Sequence, residues 1–221
     1  MTRLAVFDLD GTLIDSAPDL HAALVETLES LGRPAPDLAR TISYVGNGAS
    51  MLVRRALAQT GGASKTEESA ALKMFLAAYH AAGVTRTRTY PGMIETLHRL
   101  RAFGVTLAIC TNKPQEPAEN VCQALGIDVE MALILGATQD RPRKPDPTPL
   151  LHVMAQLGAR RECTVFVGDS TVDHQTAAAA DVPFALFSGG YIQGEIGAPE
   201  PALRFDRWST ALAQDIHALI R

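Results

Sequence analysis

The stretch Leu4-Ala5-Val6-Phe7-Asp8-Leu9-Asp10-Gly11-Thr12-Leu13-Ile14-Asp15 constrains the fold of this chain more than any other. It opens with an uninterrupted apolar run of β-favouring residues, which reads as a strand buried on both faces. The run stops at Asp8, Asp10 follows two residues on, and Gly11 lets the chain turn. Side chains two apart on an extended segment point the same way, so the Asp8 and Asp10 carboxylates are expected to share one small volume at the strand's C-terminal end. Two like charges that close are costly unless a cation lies beside them or one takes up a proton. A hard divalent cation with oxygen ligands is the natural neutraliser, and Mg²⁺ is the usual one beside phosphates.

The pattern then changes. Ser16-Ala17-Pro18-Asp19 is a helix start, with Ser16 as N-cap and Asp19 complementing the dipole. From there to about Arg86 every signal is helical. Leu20, Ala23, Leu24, Leu28 and Leu31 form one apolar stripe that ends at Gly32. A short segment over 37–43, the loop Gly46-Asn47-Gly48, a helix carrying Met51, Leu52, Ala56 and Leu57, and a fourth helix over 65–82 follow. Four helices with short loops and no strand make a small bundle, inserted just after the first strand.

Strand and helix signals alternate from Tyr90-Pro91-Gly92 onward. Strands are predicted over 105–110, around Leu133 to Leu135, over 164–167, over 183–187 and over 203–205, and a closing helix over 210–220. Such alternation implies a parallel sheet with helices on both faces. The expected fold is α/β: a doubly wound parallel sheet, a Rossmann-like core of residues 1–15 and 86–221, with a small α-helical cap of residues 16–85 inserted.

Composition sets the outer limits. A chain of 221 residues suits one domain of about 150 residues with a smaller insert. The net charge of −4, with no dense basic cluster, argues against a nucleic-acid partner. Cys110, Cys122 and Cys163 lack metal-ligand spacing and read as reduced thiols. No apolar run approaches the roughly 20 residues of a membrane helix, and the first residues enter a strand directly, unlike a signal peptide. A cytoplasmic protein without membrane partners, monomer or homodimer, is expected.

Ligands of open α/β sheets bind beyond the strands' C-terminal ends. Asp8 and Asp10, then Thr111 and Asn112, then Asp169 all follow apolar runs there, and Lys144 lies on the proline-stiffened loop Arg141-Pro142-Arg143-Lys144-Pro145-Asp146-Pro147. Three carboxylates, a lysine, a hydroxyl and an amide suit a metal and a phosphoryl group. Mg²⁺ would offset the acids, Lys144 and Thr111 could hold phosphate oxygens, and backbone N–H groups beyond Asp8 could form an anion nest. A carboxylate can also attack phosphorus to give an aspartyl-phosphate, and Asp10 could protonate the leaving oxygen and later take a proton from water.

Asp8-Leu9-Asp10-Gly11-Thr12, Thr111-Asn112, Lys144-Pro145 and Gly168-Asp169-Ser170 with Asp173 together resemble the four motifs of the haloacid dehalogenase superfamily, in order and across the whole core. Asp15-Ser16-Ala17-Pro18-Asp19-Leu20, Val45-Gly46-Asn47-Gly48-Ala49 and Thr111-Asn112-Lys113-Pro114 resemble its phosphoglycolate phosphatase subfamily. The resemblance implies a Mg²⁺-dependent phosphatase acting on a small-molecule phosphate ester, 2-phosphoglycolate first. It implies Asp8 as nucleophile and Asp10 as general acid and base. It further implies metal contacts from Asp8, the Asp10 backbone carbonyl and Asp169, with Asp173 supporting them from behind. The alternative within the superfamily is a sugar-phosphate phosphatase or phosphomutase. Dehalogenases of the superfamily lack an acid at the position of Asp10.

Substrate selection is expected in the cap. Asn47, with donor and acceptor on one amide, is the first choice for the substrate's far end, ahead of Arg54 and Arg55, for which a solvated helix face is equally expected. His174, next to Asp173, reads as a satisfied core histidine rather than a rim residue.

Overall fold

The computed structural model describes residues 2–192 and 194–220; Met1, Gln193 and Arg221, the first and last of them bounding the expected core, lie outside the described residues. In chain order the elements are β1 (Leu4–Phe7), β2 (Ile14–Asp15), the helices α1 (Ala17–Ser30), α2 (Leu38–Ile42), α3 (Ala49–Ala58) and α4 (Lys65–Ala82), then β3 (Arg88–Thr89), α5 (Met93–Ala102), β4 (Thr106–Pro114), α6 (Gln115–Ala124), β5 (Leu133–Ala137), α7 (Thr148–Gln156), β6 (Thr164–Gly168), α8 (Thr171–Ala180), β7 (Phe184–Phe187), β8 (Leu203–Phe205) and α9 (Leu212–Ala218).

Six strands form one parallel sheet in the order β5-β4-β1-β6-β7-β8. β1 is central and wholly buried. Its side chains divide by the period of two. Ala5 and Phe7 join the core under α5 and α9, with Leu97, Leu100 and Ile216. Leu4 and Val6 join the opposite core under α7 and α8, with Leu150, Val153 and Ala177. After β1 the chain goes to one side of the sheet, to β4 and β5, and then crosses to β6 on the other. The strand order therefore reverses between β1 and β6, the crevice where doubly wound sheets bind ligands.

The helical insertion α1–α4 has a core of its own, built from Leu20, Leu24 and Leu28 of α1, Leu52 and Leu57 of α3 and Phe75 of α4. Its two connections to the sheet lie side by side, because β2 and β3 pair antiparallel, Ile14 with Thr89 and Asp15 with Arg88. The apolar stripe of α1 is one residue shorter than its period suggests. The helix stops at Ser30, and Leu31, in the capping position, is exposed.

Two local readings change. Ser16 occupies the N-cap position of α1 but makes no side-chain cap; its hydroxyl donates to Asp10 Oδ1 at 2.5 Å. The sequence also predicts that the strand ends before Thr111. Instead β4 runs on to Pro114, with a register irregularity against β5 between Cys110 and Pro114. An irregularity of this kind lets a strand continue while re-aiming its side chains.

Asp19 closes the base of the insertion. Its carboxylate accepts the backbone N–H groups of Thr85, Arg86 and Thr87 and the hydroxyls of Thr85 and Thr87, at 2.7 to 3.2 Å. Burial would raise its pKa, but these hydrogen bonds, led by those of Thr87, overcome burial and hold the carboxyl below its ordinary value. A depressed carboxylate contributes stability above its unfolded pKa and loses it as pH falls through the folded value. Asp19→Ala should therefore lower stability at neutral pH by about 2–3 kcal/mol, the scale of bonds to a charged group. Urea midpoints measured from neutral pH into acid should show the gap between variant and wild type closing below about pH 4. Equal midpoints at neutral pH would remove Asp19 from this role.

Candidate active site

β1 and β6 are adjacent, so the residues that follow them, Asp8 and Asp169, face one another across the switch point. Asp173 comes from the first turn of α8. One carboxylate oxygen from each of the three lies within 4.8 Å of the others, and all three residues are buried. Lys144 reaches in from the loop after β5, its Nζ 2.8 Å from Asp8 Oδ1 and 2.6 Å from Asp173 Oδ1. The other Asp173 oxygen accepts the N–H and hydroxyl of Ser170. Both oxygens of Asp173 are thus committed to holding the wall of the site and its lysine.

Asp169 is fixed differently. Its Oδ1 accepts the Thr12 hydroxyl at 2.8 Å and its Oδ2 the Tyr191 N–H at 2.7 Å. Gly11, at φ +89°, and Gly190 come so close that a Cβ on either would collide with the Asp169 carboxylate. Asp8 Oδ1 is buried and accepts no hydrogen bond. The Lys144 ammonium beside it is an ion pair whose direction is not that of a hydrogen bond.

Three carboxylates against one ammonium leave the cluster short of positive charge. Burial, and then the Asp173 charge, push the Asp8 carboxyl up to about 6, against the pull of Lys144. Burial, Asp173 and Asp8 push Asp169 well above the carboxylate range, with the Tyr191 and Thr12 bonds pulling the other way. Burial disfavours the Lys144 charge, yet Asp173 and Asp8 outweigh it and hold the ammonium above its ordinary value. Oxygen donors short of positive charge, one of them without a hydrogen bond, fit a hard divalent cation.

A second set of groups lies toward the helical insertion. Asp10 accepts the Ser16 hydroxyl and an ion pair from Lys113, whose Nζ is 3.0 Å from Oδ1 and 3.3 Å from Oδ2. Lys113 also donates to the Tyr79 hydroxyl of α4 at 2.9 Å. Burial alone would discharge this lysine, but Asp10 and Tyr79 hold it protonated above the ordinary lysine value. Between the two sets is a cavity of about 40 Å³ floored by Asp8, Asp10, Thr111, Asn112 and Lys113 and roofed by α1, the loop before α3, α3 itself and α4.

The model of the haloacid dehalogenase-like hydrolases matches residues 5–187. The chain belongs to that family. Phosphoglycolate phosphatase 1 of Pseudomonas aeruginosa is 41% identical over 93% of this chain and 77% of its own length. A phosphoglycolate phosphatase of Cereibacter sphaeroides is 41% identical over 84% of this chain and 85% of its own length. The crystal structure of a predicted phosphoglycolate phosphatase from Haemophilus somnus superposes with a TM-score of 0.90 at 30% identity, covering 97% of this chain and 98% of that one. The chain is thus an enzyme, a haloacid dehalogenase-like hydrolase with phosphoglycolate phosphatases among its homologues. No helix among the described residues is long and apolar enough to cross a membrane.

The structure brings Asp8, Lys144, Asp169 and Asp173 of this hydrolase together as one cluster, and Asp10 lines the same small cavity as Asp8. The Asp10 carboxylate is outside the three-acid group and is neutralised by Lys113. Beyond Asp8 the chain leaves the strand and coils, with the N–H groups of Thr12, Leu13 and Ile14 all directed at the Leu9 carbonyl. Thr111 lines the cavity, its hydroxyl accepting the Lys113 N–H. The Asn112 amide donates to the Lys144 carbonyl at 2.9 Å and to the Gly46 carbonyl of the insertion at 3.2 Å, tying the lysine loop to the roof.

Asn47 is not among the residues lining the cavity. Its Oδ1 accepts from Arg55, which also donates to the Tyr44 carbonyl, so this pair braces the loop before α3. Arg54 pairs with Glu68 on the surface. His174 is buried, donating to the Pro199 carbonyl with its ring edge-on to Phe184. Sequence reading assigned no role to Lys113, Tyr79 or Tyr191. The signal available for Lys113 was its place directly after Thr111-Asn112.

The raised Asp8 carboxyl gives a test of cation binding with a defined sign. The proton on such a group stabilises the fold at low pH, and that contribution is lost as pH rises through the folded value. A divalent cation replaces it only where the proton is absent. Mg²⁺ should raise the melting temperature by about 5–10 °C near pH 7.5 and far less near pH 5. Equal shifts at both pH values, or none, would place the cation away from Asp8.

Proposed function

We propose that this chain is a Mg²⁺-dependent phosphatase that hydrolyses 2-phosphoglycolate to glycolate through an aspartyl-phosphate on Asp8. The observation carrying this reading is the buried Asp8 oxygen that accepts no hydrogen bond, beside Lys144 and two further acids, in a chain 41% identical to curated phosphoglycolate phosphatases. Residues 1–15 and 86–221 serve as the catalytic core and residues 16–85 as its cap.

Asp8, Asp169 and the Asp10 backbone carbonyl would hold Mg²⁺, with Asp173 fixing Lys144 behind them. When bound, the ion supplies positive charge that keeps Asp8 ionised and draws the phosphoryl oxygens toward it. The Asp8 carboxylate attacks phosphorus, the bond from phosphorus to the ester oxygen breaks, and Asp10, which must enter this step carrying a proton taken up from solvent, gives that proton to the oxygen. Lys144 and Thr111 balance the charge on the transferring group. Asp10 then takes a proton from a water that attacks the same phosphorus, which frees inorganic phosphate and restores Asp8.

A cavity of about 40 Å³ is far below the roughly 300 Å³ at which ligand pockets begin. The cap must therefore move to admit the ester, turning about the paired β2 and β3. Closing it again would exclude bulk water from the first transfer and leave room only for a small alcohol portion. Asn47 contributes by holding, with Arg55, the loop whose Gly46 and Gly48 face the cavity.

The deciding assay is turnover over a panel of 2-phosphoglycolate, sugar phosphates, a nucleotide and an aryl phosphate, with and without Mg²⁺. The reading requires the highest kcat/KM on 2-phosphoglycolate and loss of turnover with chelator; a preference for a sugar phosphate would replace the substrate. Asp8→Asn should abolish turnover while leaving the fold intact. Lys144→Ala should cost about 10²–10³-fold in kcat, the effect of removing one preorganised charge donor. Near-normal activity in either variant would remove that residue from the reaction.

A further inference from the structure

If the substrate is 2-phosphoglycolate, as proposed above, its carboxylate needs a partner that the phosphoryl-handling groups do not supply. A carboxylate taken out of water without a charged or hydrogen-bonding partner is heavily penalised. The roof of the cavity is largely apolar, with Leu20, Leu52, Phe75 and Leu76 facing inward. Arg54 and Arg55 are committed elsewhere, to Glu68 and to Tyr44 with Asn47. Lys113 is the cation among the described residues that line the cavity.

We infer that Lys113, held by Tyr79, is the residue that selects a carboxylate on the carbon next to the ester oxygen. Three observations carry this. The Lys113 ammonium is buried and borders the cavity, and its polar side-chain partners are Asp10 and Tyr79. An ammonium has three donors, and the longest of its three contacts, 3.3 Å to Asp10 Oδ2, is the one a ligand oxygen would replace. Second, Tyr79 accepts from Lys113, which leaves its own hydroxyl hydrogen to donate. Third, Lys113 lies 3.0 Å from Asp10, the group assigned to the ester oxygen. In 2-phosphoglycolate the carboxyl carbon is only two bonds beyond that oxygen. An ammonium beside Asp10 can therefore bridge Asp10 and the substrate carboxylate, with the Tyr79 hydroxyl as second donor. The cap contributes Tyr79 and the core contributes Lys113, so the pair is complete only with the cap in place.

The test compares 2-phosphoglycolate with ethyl phosphate, which has the same chain and a methyl group in place of the carboxylate. Lys113→Met keeps the unbranched side chain up to the position of Cε and removes the ammonium. Its kcat/KM on 2-phosphoglycolate should fall by about 100-fold or more, mainly through KM, and on ethyl phosphate by no more than about 10-fold, given the energies of charge-assisted bonds. Tyr79→Phe keeps the ring and loses one donor, so it should cost 2-phosphoglycolate about 5–10-fold and ethyl phosphate less. It also serves where Lys113→Met folds poorly. Equilibrium binding of both esters in an Asp8→Asn background should show the same selective loss without turnover. Equal losses on the two esters in both variants would overturn the inference and leave Lys113 as a support for Asp10 alone. Equal efficiency of the wild type on the two esters is a separate outcome, since it would overturn the phosphoglycolate reading itself.

Discussion

The ion pair of Lys144 with Asp8 and Asp173 is the interaction on which the rest of the site depends. Burying a charge costs several kcal/mol, and a buried pair is tolerated only with close geometry and its remaining atoms satisfied. Asp173 meets that condition, with Lys144 on one oxygen and Ser170 on the other. Asp8 does not, because Lys144 neutralises it in part and leaves Oδ1 without a hydrogen bond. With Asp169 added, the cluster carries two negative charges more than positive ones. The consequence appears in the carboxyls of Asp8 and Asp169, both raised by burial and then by the Asp173 charge. The fold thus supplies a site that is balanced only when something cationic joins it.

The sheet explains why these charges meet. Neighbouring parallel strands β1 and β6 end at the same level, and the acids that follow them emerge at the reversal of strand order. The glycines around Asp169 let the backbones of the first turn and of the loop after β7 close on its carboxylate. On the far side of the same turn Asp10 has its own lysine, Lys113. Two acids two residues apart therefore have two separate environments. One is poised between protonation and a cation; the other is held in a salt bridge facing the insertion.

The strands and most helices were legible in the sequence because burial imposes a period: two along β1, which sends Ala5 and Phe7 to one core and Leu4 and Val6 to the other, and about 3.6 along α1 and α3. Asp8 and Asp169 were legible because they follow apolar runs in a parallel sheet, Lys144 because of its proline-stiffened loop, and Asp173 through the family resemblance. What lay beyond was the aim of side chains once the strand ends. Past Asp8 the chain coils, and at Thr111 to Lys113 the strand continues irregularly where a strand stop was expected. Lys113, a buried ammonium, lies within that irregular stretch. The partners of Asp19 and Tyr191 were invisible for another reason: they stand 66 to 68 positions away in one case and as many as 176 in the other, and no local pattern reports such pairing.

Tyr191 joins these regions physically. Its N–H holds Asp169, its hydroxyl donates to Asp15 at 2.6 Å, and the same hydroxyl accepts the N–H of Ala17 at 2.8 Å. Asp15 is in β2, one half of the paired connection to the insertion, and Ala17 begins α1. The acid cluster and the base of the insertion are thus separated by one side chain. At the roof, polar links between insertion and core include Tyr79 with Lys113 and Gly46 with Asn112. The two ends differ in kind. Asp19 at the base accepts five donor groups and Tyr191 adds two bonds, whereas each roof link is a single hydrogen bond. The cap movement proposed above would therefore cost least with the roof parting and the base holding, with β2 and β3 as its axis and Asp169 undisturbed. The roof bonds broken in that movement belong to an ammonium and an amide on the cavity floor, groups that a bound anion can engage in their place.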